Sequence, residues 1–67
     1  MKTKLKVGDK FDSKKAGTVF IIDAIEKHPT FGILINSSTE GGRKGNYRDT
    51  EEEFLAFLQD MKATKIN

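Results

Sequence analysis

The chain has 67 residues, of which 36% are hydrophobic and 33% charged, with a net charge of +2 and no cysteine. This length allows one small domain with a thin core and no disulfides, and the composition argues against a disordered tail. The longest apolar run, residues 19–22, is far shorter than the roughly 20 residues of a membrane span, so we expect a cytoplasmic protein without a membrane partner.

The first predicted element is a strand at residues 2–7, where lysines alternate with small or apolar side chains. Such an alternation gives a strand one wet face, and exposed lysines commonly protect the edge of a sheet. Gly8 and Asp9 then signal a turn, and residues 12–17 are predicted to form a turn or loop.

The strongest strand signal lies at residues 18–26, which are rich in β-branched and aromatic side chains. Apolar side chains fall on both faces, with Ile22 and Ile25 assigned to opposite sides by simple alternation. This pattern predicts a central strand that is strongly curved or bulged.

Two further extended segments precede the helix. Residues 31–36 predict a third strand with Phe31 in the core, and residues 44–48 predict a short fourth strand centred on Tyr47. The polar, glycine-containing residues 37–42 predict the loop between these strands.

One helix is predicted at about residues 50–62. Thr50 followed by Glu53 is a capping box, and three consecutive glutamates suit the positive end of the helix dipole. Residues 63–67 are predicted to fray. The apolar face of the helix comprises Phe54, Leu55, Phe57, Leu58 and Met61.

These elements predict a single α+β domain over residues 1–67. A curved antiparallel sheet of three or four strands, at about residues 2–48, is covered by one C-terminal amphipathic helix. The alternative is a small five-stranded barrel of the Src-homology type followed by the helix. The thin core and the apolar helix face are compatible with a homodimer.

The sequence shows no catalytic constellation, so we predict no enzyme activity, no cofactor and no metal. His28 is the only histidine and lies in a turn without a clear catalytic partner. Asp23 shares a strand face with apolar residues and is expected to reach a sheet edge or pair with a lysine. The glycine-rich residues 41–45 do not match the phosphate-binding loop, which requires GxxxxGK followed by Ser or Thr and leads directly into a helix. Here Asn46 follows Gly45, and an extended segment precedes the helix.

The charges alternate along the chain. Residues 1–15 hold six lysines against two aspartates, and residues 41–49 hold three basic residues against one aspartate. Residues 16–40 and 50–67 are net negative. If the two basic segments meet in the fold, they form a patch that a polyanion can use, and otherwise they are ordinary solvated surface.

Residues 44–58, KGNYRDTEEEFLAFL, contain a Lys-Gly pair, a short strand, a Thr cap, acidic residues, an aromatic residue and then Leu. This order resembles the sheet-to-helix junction of the positive cofactor four family of single-stranded-DNA-binding transcriptional coactivators. The resemblance implies a curved four-stranded antiparallel sheet, one helix through which the protein dimerises, and binding of single-stranded nucleic acid on the sheet. It also implies that Lys44 contacts nucleic acid.

The first functional hypothesis is a non-enzymatic nucleic-acid-binding module whose basic residues contact phosphates while Tyr47 stacks on a base. The alternative is a small protein-binding module, such as a phage or mobile-element protein that docks on a host protein. The predicted nucleic-acid-binding residues are Lys4, Lys6, Arg43, Lys44, Tyr47 and Arg48.

Overall fold

The computed structural model describes residues 4–41 and 45–67, which form an antiparallel sheet and one helix. The strand order is β4-β3-β2-β1-β5, and the sheet is not closed into a barrel, so the predicted α+β class is confirmed with the open sheet. The elements are β1 (Lys10–Ser13), β2 (Thr18–His28), β3 (Gly32–Glu40), β4 (Asn46–Thr50), α1 (Glu51–Asp60) and β5 (Thr64–Lys65).

The long strands β2 and β3 form the middle of the sheet and confirm the two strongest predicted strands. A bulge lies between Ile22 and Ala24 of β2. It shifts the alternation, so Ile25 pairs with Ile35 and packs against the same core as Ile22. The predicted bulge or curvature is therefore correct, whereas the assignment of Ile25 to the opposite face is wrong because it assumed unbroken alternation.

Helix α1 covers one face of the sheet and completes the core. Phe54 is fully buried with its ring centroid 6.1 Å from that of Phe11, and the Phe57 ring lies 4.9 Å from that of Phe20. Both pairs are edge-to-face, which adds attraction beyond the area that they bury. The buried cluster consists of Leu5, Phe11, Phe20, Ile22, Ile35, Phe54 and Leu58.

The N-terminus of α1 has the capping box that the sequence predicts. The Glu53 amide donates to Thr50 Oγ1 over 3.2 Å, and the Thr50 amide donates to Glu53 Oε1 over 3.1 Å. The first turn carries three glutamates, as the helix dipole favours. No helix in the described part of the chain is long and apolar enough to span a membrane.

The C-terminus of α1 comes two residues earlier than predicted, at Asp60. Lys62 adopts the left-handed backbone conformation with φ of 50° and donates to the Gln59 carbonyl. The Ala63 amide donates to the Leu58 carbonyl over 2.9 Å. These two hydrogen bonds form a Schellman motif, which ends a helix by using its last free carbonyls.

The first strand does not lie where the lysine alternation predicts it, and the predicted strand at residues 4–7 is wrong. Residues 4–9 contain a bend and a turn, and β1 follows them in the segment predicted to begin a loop. Asp9 holds this turn, because its carboxylate accepts from the Lys6 amide and its own amide donates to the Lys6 carbonyl. Leu5 enters the core, so the alternation reflects one buried anchor rather than a paired strand. Residues 2 and 3 of the predicted strand lie outside the described residues.

The C-terminal tail is paired, so the predicted fraying of residues 63–67 is wrong. Strand β5 pairs with β1, and the Ile66 amide donates to the Lys10 carbonyl. The side chain of Asn67 accepts from the Lys10 amide and donates to the Gly8 carbonyl. These contacts join residues 8–12 to residues 64–67, so no local sequence pattern predicts them.

Candidate functional site

Tyr47 and Arg48 lie on opposite faces of the sheet, because consecutive strand residues point in opposite directions. Tyr47 is 44% exposed, and its ring lies 6.0 Å from that of Phe57 on the side covered by the helix. Arg48 lies on the other side, where its guanidinium is 2.9 Å from Glu26 Oε2. The structure thus separates two residues that the sequence hypothesis assigns to one surface.

Lys4 and Lys6 are exposed on either side of buried Leu5. They precede β1, which is three strand positions from β4, a separation of roughly 14 Å at the usual strand spacing. The structure therefore does not bring these lysines next to Arg48. Arg43 and Lys44 lie outside the described residues.

The face of the sheet that α1 leaves uncovered, here called the open face, is net negative over the residues that the structure describes. Lys10 lies 4.0 Å from Glu40, and the Ser38 hydroxyl donates to exposed Asp23 at the bulge. A face of this charge repels a phosphate backbone, so it is a poor surface for a polyanion. Within residues 4–41 and 45–67, its charged side chains are the cations Lys10 and Arg48 and the carboxylates Asp12, Asp23, Glu26 and Glu40.

The ion pair between Glu26 and Arg48 on the open face affects the pKa of Glu26. A hydrogen bond with the Asn36 side chain and the positive charge of Arg48 hold the pKa of Glu26 below its ordinary value of 4.5. Glu26 and Arg48 are both exposed, so solvent screens the pair and its contribution to stability is small. The Arg48 guanidinium is therefore already paired with the Glu26 carboxylate.

Tyr47 borders a small cavity of about 200 Å³, here called the Tyr47 cavity. It lies where the β1–β2 turn, the end of β3 and the C-terminal end of α1 meet. Its aromatic wall is continuous, because Phe57 contacts both Tyr47 and Phe20. The lining residues are Ala16, Thr18, Phe20, Thr39, Tyr47, Phe57 and Met61.

Gly45 brings the backbone directly against the Tyr47 ring. A Cβ at this position would lie 3.1 Å from the Tyr47 hydroxyl oxygen and 3.3 Å from its nearest ring carbons. The Gly45 amide also donates to Thr39 Oγ1 over 2.9 Å. Tyr47 is therefore held between the Gly45 backbone and the Phe57 ring, with part of its surface left to solvent.

Three lysines are close in sequence to residues that line the Tyr47 cavity. Lys14 and Lys15 directly precede Ala16 in the β1–β2 turn, and Lys62 directly follows Met61. The Lys15 ammonium donates to the Asp60 carbonyl over 3.1 Å, which ties the turn to the end of the helix. None of these three lysines is among the predicted nucleic-acid contacts, although the lysine-rich residues 1–15 contain two of them.

Buried Ser13 fixes the same junction between turn and helix. Its hydroxyl donates to the Met61 carbonyl over 2.6 Å and accepts from the Ala16 amide over 3.1 Å. The hydroxyl thereby satisfies two backbone groups at the base of the Tyr47 cavity, where an unpaired polar group would be costly. The lysine-bearing turn and the helix end are held in a defined arrangement.

A second and larger cavity, of about 490 Å³, lies far from the Tyr47 cavity. It is formed by the turn of the β2–β3 hairpin and the N-terminal end of α1. Phe31 is 61% exposed beside it, so the prediction that this side chain lies in the core is wrong. Residue 31 belongs to the tight turn before β3, and the strand begins one residue later than predicted. We call this space the Phe31 cavity, and its lining residues are Lys27, His28, Phe31, Gly32, Ile33, Thr50, Glu51 and Glu52.

No family model matches the chain, and no curated protein or solved structure matches it either. Function must therefore be inferred from the chemistry of the two cavities. In the part of the chain that the structure describes, no group of three or more His, Cys, Asp or Glu side chains could hold a metal ion.

Proposed function

We propose that this protein is a non-enzymatic module that binds single-stranded nucleic acid at the Tyr47 cavity. The observation that carries the proposal is the half-exposed Tyr47 ring, backed by Phe57, beside the junction where Lys15 hydrogen-bonds to the end of α1. A nucleobase stacks on such a ring, whereas ammonium groups around it contact the flanking phosphates without reading sequence.

The distribution of charge favours the Tyr47 cavity over the open face as the binding site. Lys14, Lys15 and Lys62 adjoin lining residues of the Tyr47 cavity in sequence, whereas the described residues of the open face carry four carboxylates against two cations. Single-stranded nucleic acid requires cations close to its aromatic platform, because most of the affinity comes from the phosphates. The Tyr47 cavity meets this requirement and the open face does not.

Arg43 and Lys44 are retained as predicted phosphate contacts from the sequence, although they lie outside the described residues. Gly41 and Gly45, the described residues on either side of this segment, contact residues that line the Tyr47 cavity. The Thr18 hydroxyl donates to the Gly41 carbonyl over 2.9 Å, and the Gly45 amide donates to Thr39. Thr18 and Thr39 both line the Tyr47 cavity.

The proposal is tested by fluorescence anisotropy with a labelled oligo-dT strand over a series of salt concentrations. The double variant K14A/K15A should weaken binding and reduce the salt slope by about 0.7 for each lost contact. The matched control is K4A/K6A, which removes the same charge from exposed lysines away from the cavity.

Three results are informative. A larger loss in K14A/K15A than in K4A/K6A supports the proposed location. Equal losses in the two double variants would show that only net charge matters and would overturn it. No binding even at low salt would overturn nucleic-acid binding itself and leave the protein-docking alternative.

A further inference from the structure

The Phe31 cavity is not used by the proposed function, and it has the features of a ligand site. Its volume of about 490 Å³ lies within the range of roughly 300–1,000 Å³ that is usual for binding pockets. Its lining combines the rings of His28 and Phe31 and the side chain of Ile33 with the charged side chains of Lys27, Glu51 and Glu52. The cavity opens at the tip of the β2–β3 hairpin, beside the first turn of α1.

One wall of the Phe31 cavity is aromatic and held in place. The His28 and Phe31 ring centroids are 4.8 Å apart, with the ring planes tilted by 38°. His28 Nδ1 accepts from the Thr30 amide over 3.0 Å and from the Phe31 amide over 3.2 Å. These two backbone hydrogen bonds fix the imidazole in the turn, so the aromatic wall is formed before any ligand arrives.

The opposite wall carries carboxylates. Glu51 and Glu52 line the cavity, whereas Glu53 is engaged in the capping box with Thr50. Glu51 Oε2 is shielded from water and has no hydrogen-bond partner, although the side chain as a whole is partly exposed. A rotation of the Glu51 side chain that turns this oxygen into the cavity would let a donor bound there supply the partner that it lacks.

We propose that the Phe31 cavity binds the arginine side chain of a partner protein. A guanidinium is planar and weakly hydrated, so it stacks on aromatic faces such as those of His28 and Phe31. Its N–H groups donate charge-assisted hydrogen bonds to carboxylates such as those of Glu51 and Glu52. A lysine ammonium also contacts rings and carboxylates, but it is a strongly hydrated point charge that cannot stack as a plane, so the cavity favours a guanidinium over it. Apolar groups offer no donor, and the glutamates repel anions.

The charge of Lys27 allows a test of the direction in which a substitution changes the affinity for arginine. It lines the same cavity, and its ammonium makes none of the ion pairs found among the described residues. A like charge at this position opposes a bound guanidinium. Its removal should therefore strengthen arginine binding, whereas removal of a carboxylate or of the aromatic ring should weaken it.

The experiment is an NMR titration of the isotope-labelled full chain with N-acetyl-arginine amide. N-acetyl-citrulline amide is the matched probe, because it has nearly the same shape without the charge. Arginine amide should give saturable shifts of the Phe31, Gly32, Glu51 and Glu52 amides, and citrulline amide should give none. F31A and E52Q should each weaken binding roughly threefold, and K27Q should tighten it roughly twofold.

Folding and location are controlled separately. Phe31 and Glu52 are exposed, so both variants should retain the wild-type spectrum away from the cavity. K14A/K15A alters the other end of the molecule and should leave arginine binding unchanged, so failure of one proposal is distinguishable from failure of the other. The absence of saturable shifts, equal binding of citrulline amide, weaker binding by K27Q, or oligo-dT shifts at these same amides would each overturn the arginine proposal.

Discussion

Tyr47 and Arg48 are consecutive in β4, yet they belong to different environments. The Tyr47 ring lies 6.0 Å from Phe57 on the helix-covered side, and the Arg48 guanidinium lies 2.9 Å from Glu26 on the open face. Because side chains alternate along a strand, one ligand strand on one face of the sheet does not contact both. The proposed interface therefore includes Tyr47 and omits Arg48.

The two residues should respond differently to substitution. Tyr47→Ala removes the stacking platform and should weaken oligo-dT binding by about 1–3 kcal/mol, whereas Tyr47→Phe should retain most of the affinity. Arg48→Gln removes a cation that is already paired with Glu26, so its effect should be much smaller. Anisotropy titrations at one fixed salt concentration compare the three variants. A loss in Arg48→Gln as large as that in Tyr47→Ala would contradict the assignment.

Gly45→Ala should weaken binding through Tyr47. The new Cβ would lie 3.1 Å from the Tyr47 hydroxyl oxygen, so the ring must shift by a few tenths of an ångström relative to Phe57. We expect weaker oligo-dT binding in the wild-type background and no further loss in the Tyr47→Ala background. The measurement is a double-mutant cycle. Additive losses from the two substitutions would show that Gly45 acts independently of the ring.

Lys62→Gly should stabilise the fold. Lys62 occupies the left-handed position of the Schellman motif with φ of 50°, where a residue with a Cβ is strained and glycine is preferred. We expect a gain of roughly 0.5–1 kcal/mol in the free energy of unfolding, measured by denaturant titration. Lys62→Ala, which loses the same charge but keeps the Cβ, is the control and should show no such gain. A destabilised glycine variant would argue against the strained cap.

The open-face ion pair predicts a defined pH dependence. The pKa of Glu26 is lowered by Asn36 and then by Arg48. A lowered folded-state pKa contributes stability that is present above the ordinary value and lost as the pH falls through the folded value. The contribution is small because both partners are exposed. Asn36→Ala and Arg48→Gln should each raise the pKa of Glu26 in a carboxyl NMR titration, and an unchanged titration would contradict this origin.

Local signals were sufficient to predict α1 and its cap. Thr50 and Glu53 are three residues apart and bind each other's backbone, so their interaction depends on no other part of the chain. Strand β2 was also predictable as a strand, and so was its irregularity. The position of the bulge was not, and Ile25 was consequently assigned to the wrong face.

The N-terminal segment and strand β5 could not be predicted, because their structure depends on pairing between residues far apart in sequence. The lysine alternation at the N-terminus has a strand-like period, but among its described residues, 4–7, only Leu5 is buried. Strand β5 consists of two exposed residues that become ordered by pairing with β1, and Asn67 completes the contact with its side chain. Neither feature is encoded by a pattern within a short window.

The candidate site was only partly visible in the sequence. Tyr47 was identifiable because it is an aromatic residue in a short polar strand. Lys14, Lys15 and Lys62 were not, because their proximity depends on the junction that Ser13 makes between the β1–β2 turn and the end of α1. Phe31 was misassigned for the related reason that its turn projects it outside the core.

The most direct test of the central claim is an NMR titration of the isotope-labelled protein with oligo-dT at low salt. The proposal predicts that the largest amide shifts fall around the Tyr47 cavity, at Ala16, Thr18, Tyr47, Phe57 and Met61. Amides of the open-face residues Ile21 and Ser38 should change little. Largest shifts on the open face, or no shifts at any ratio of oligonucleotide to protein, would contradict the proposed nucleic-acid interface.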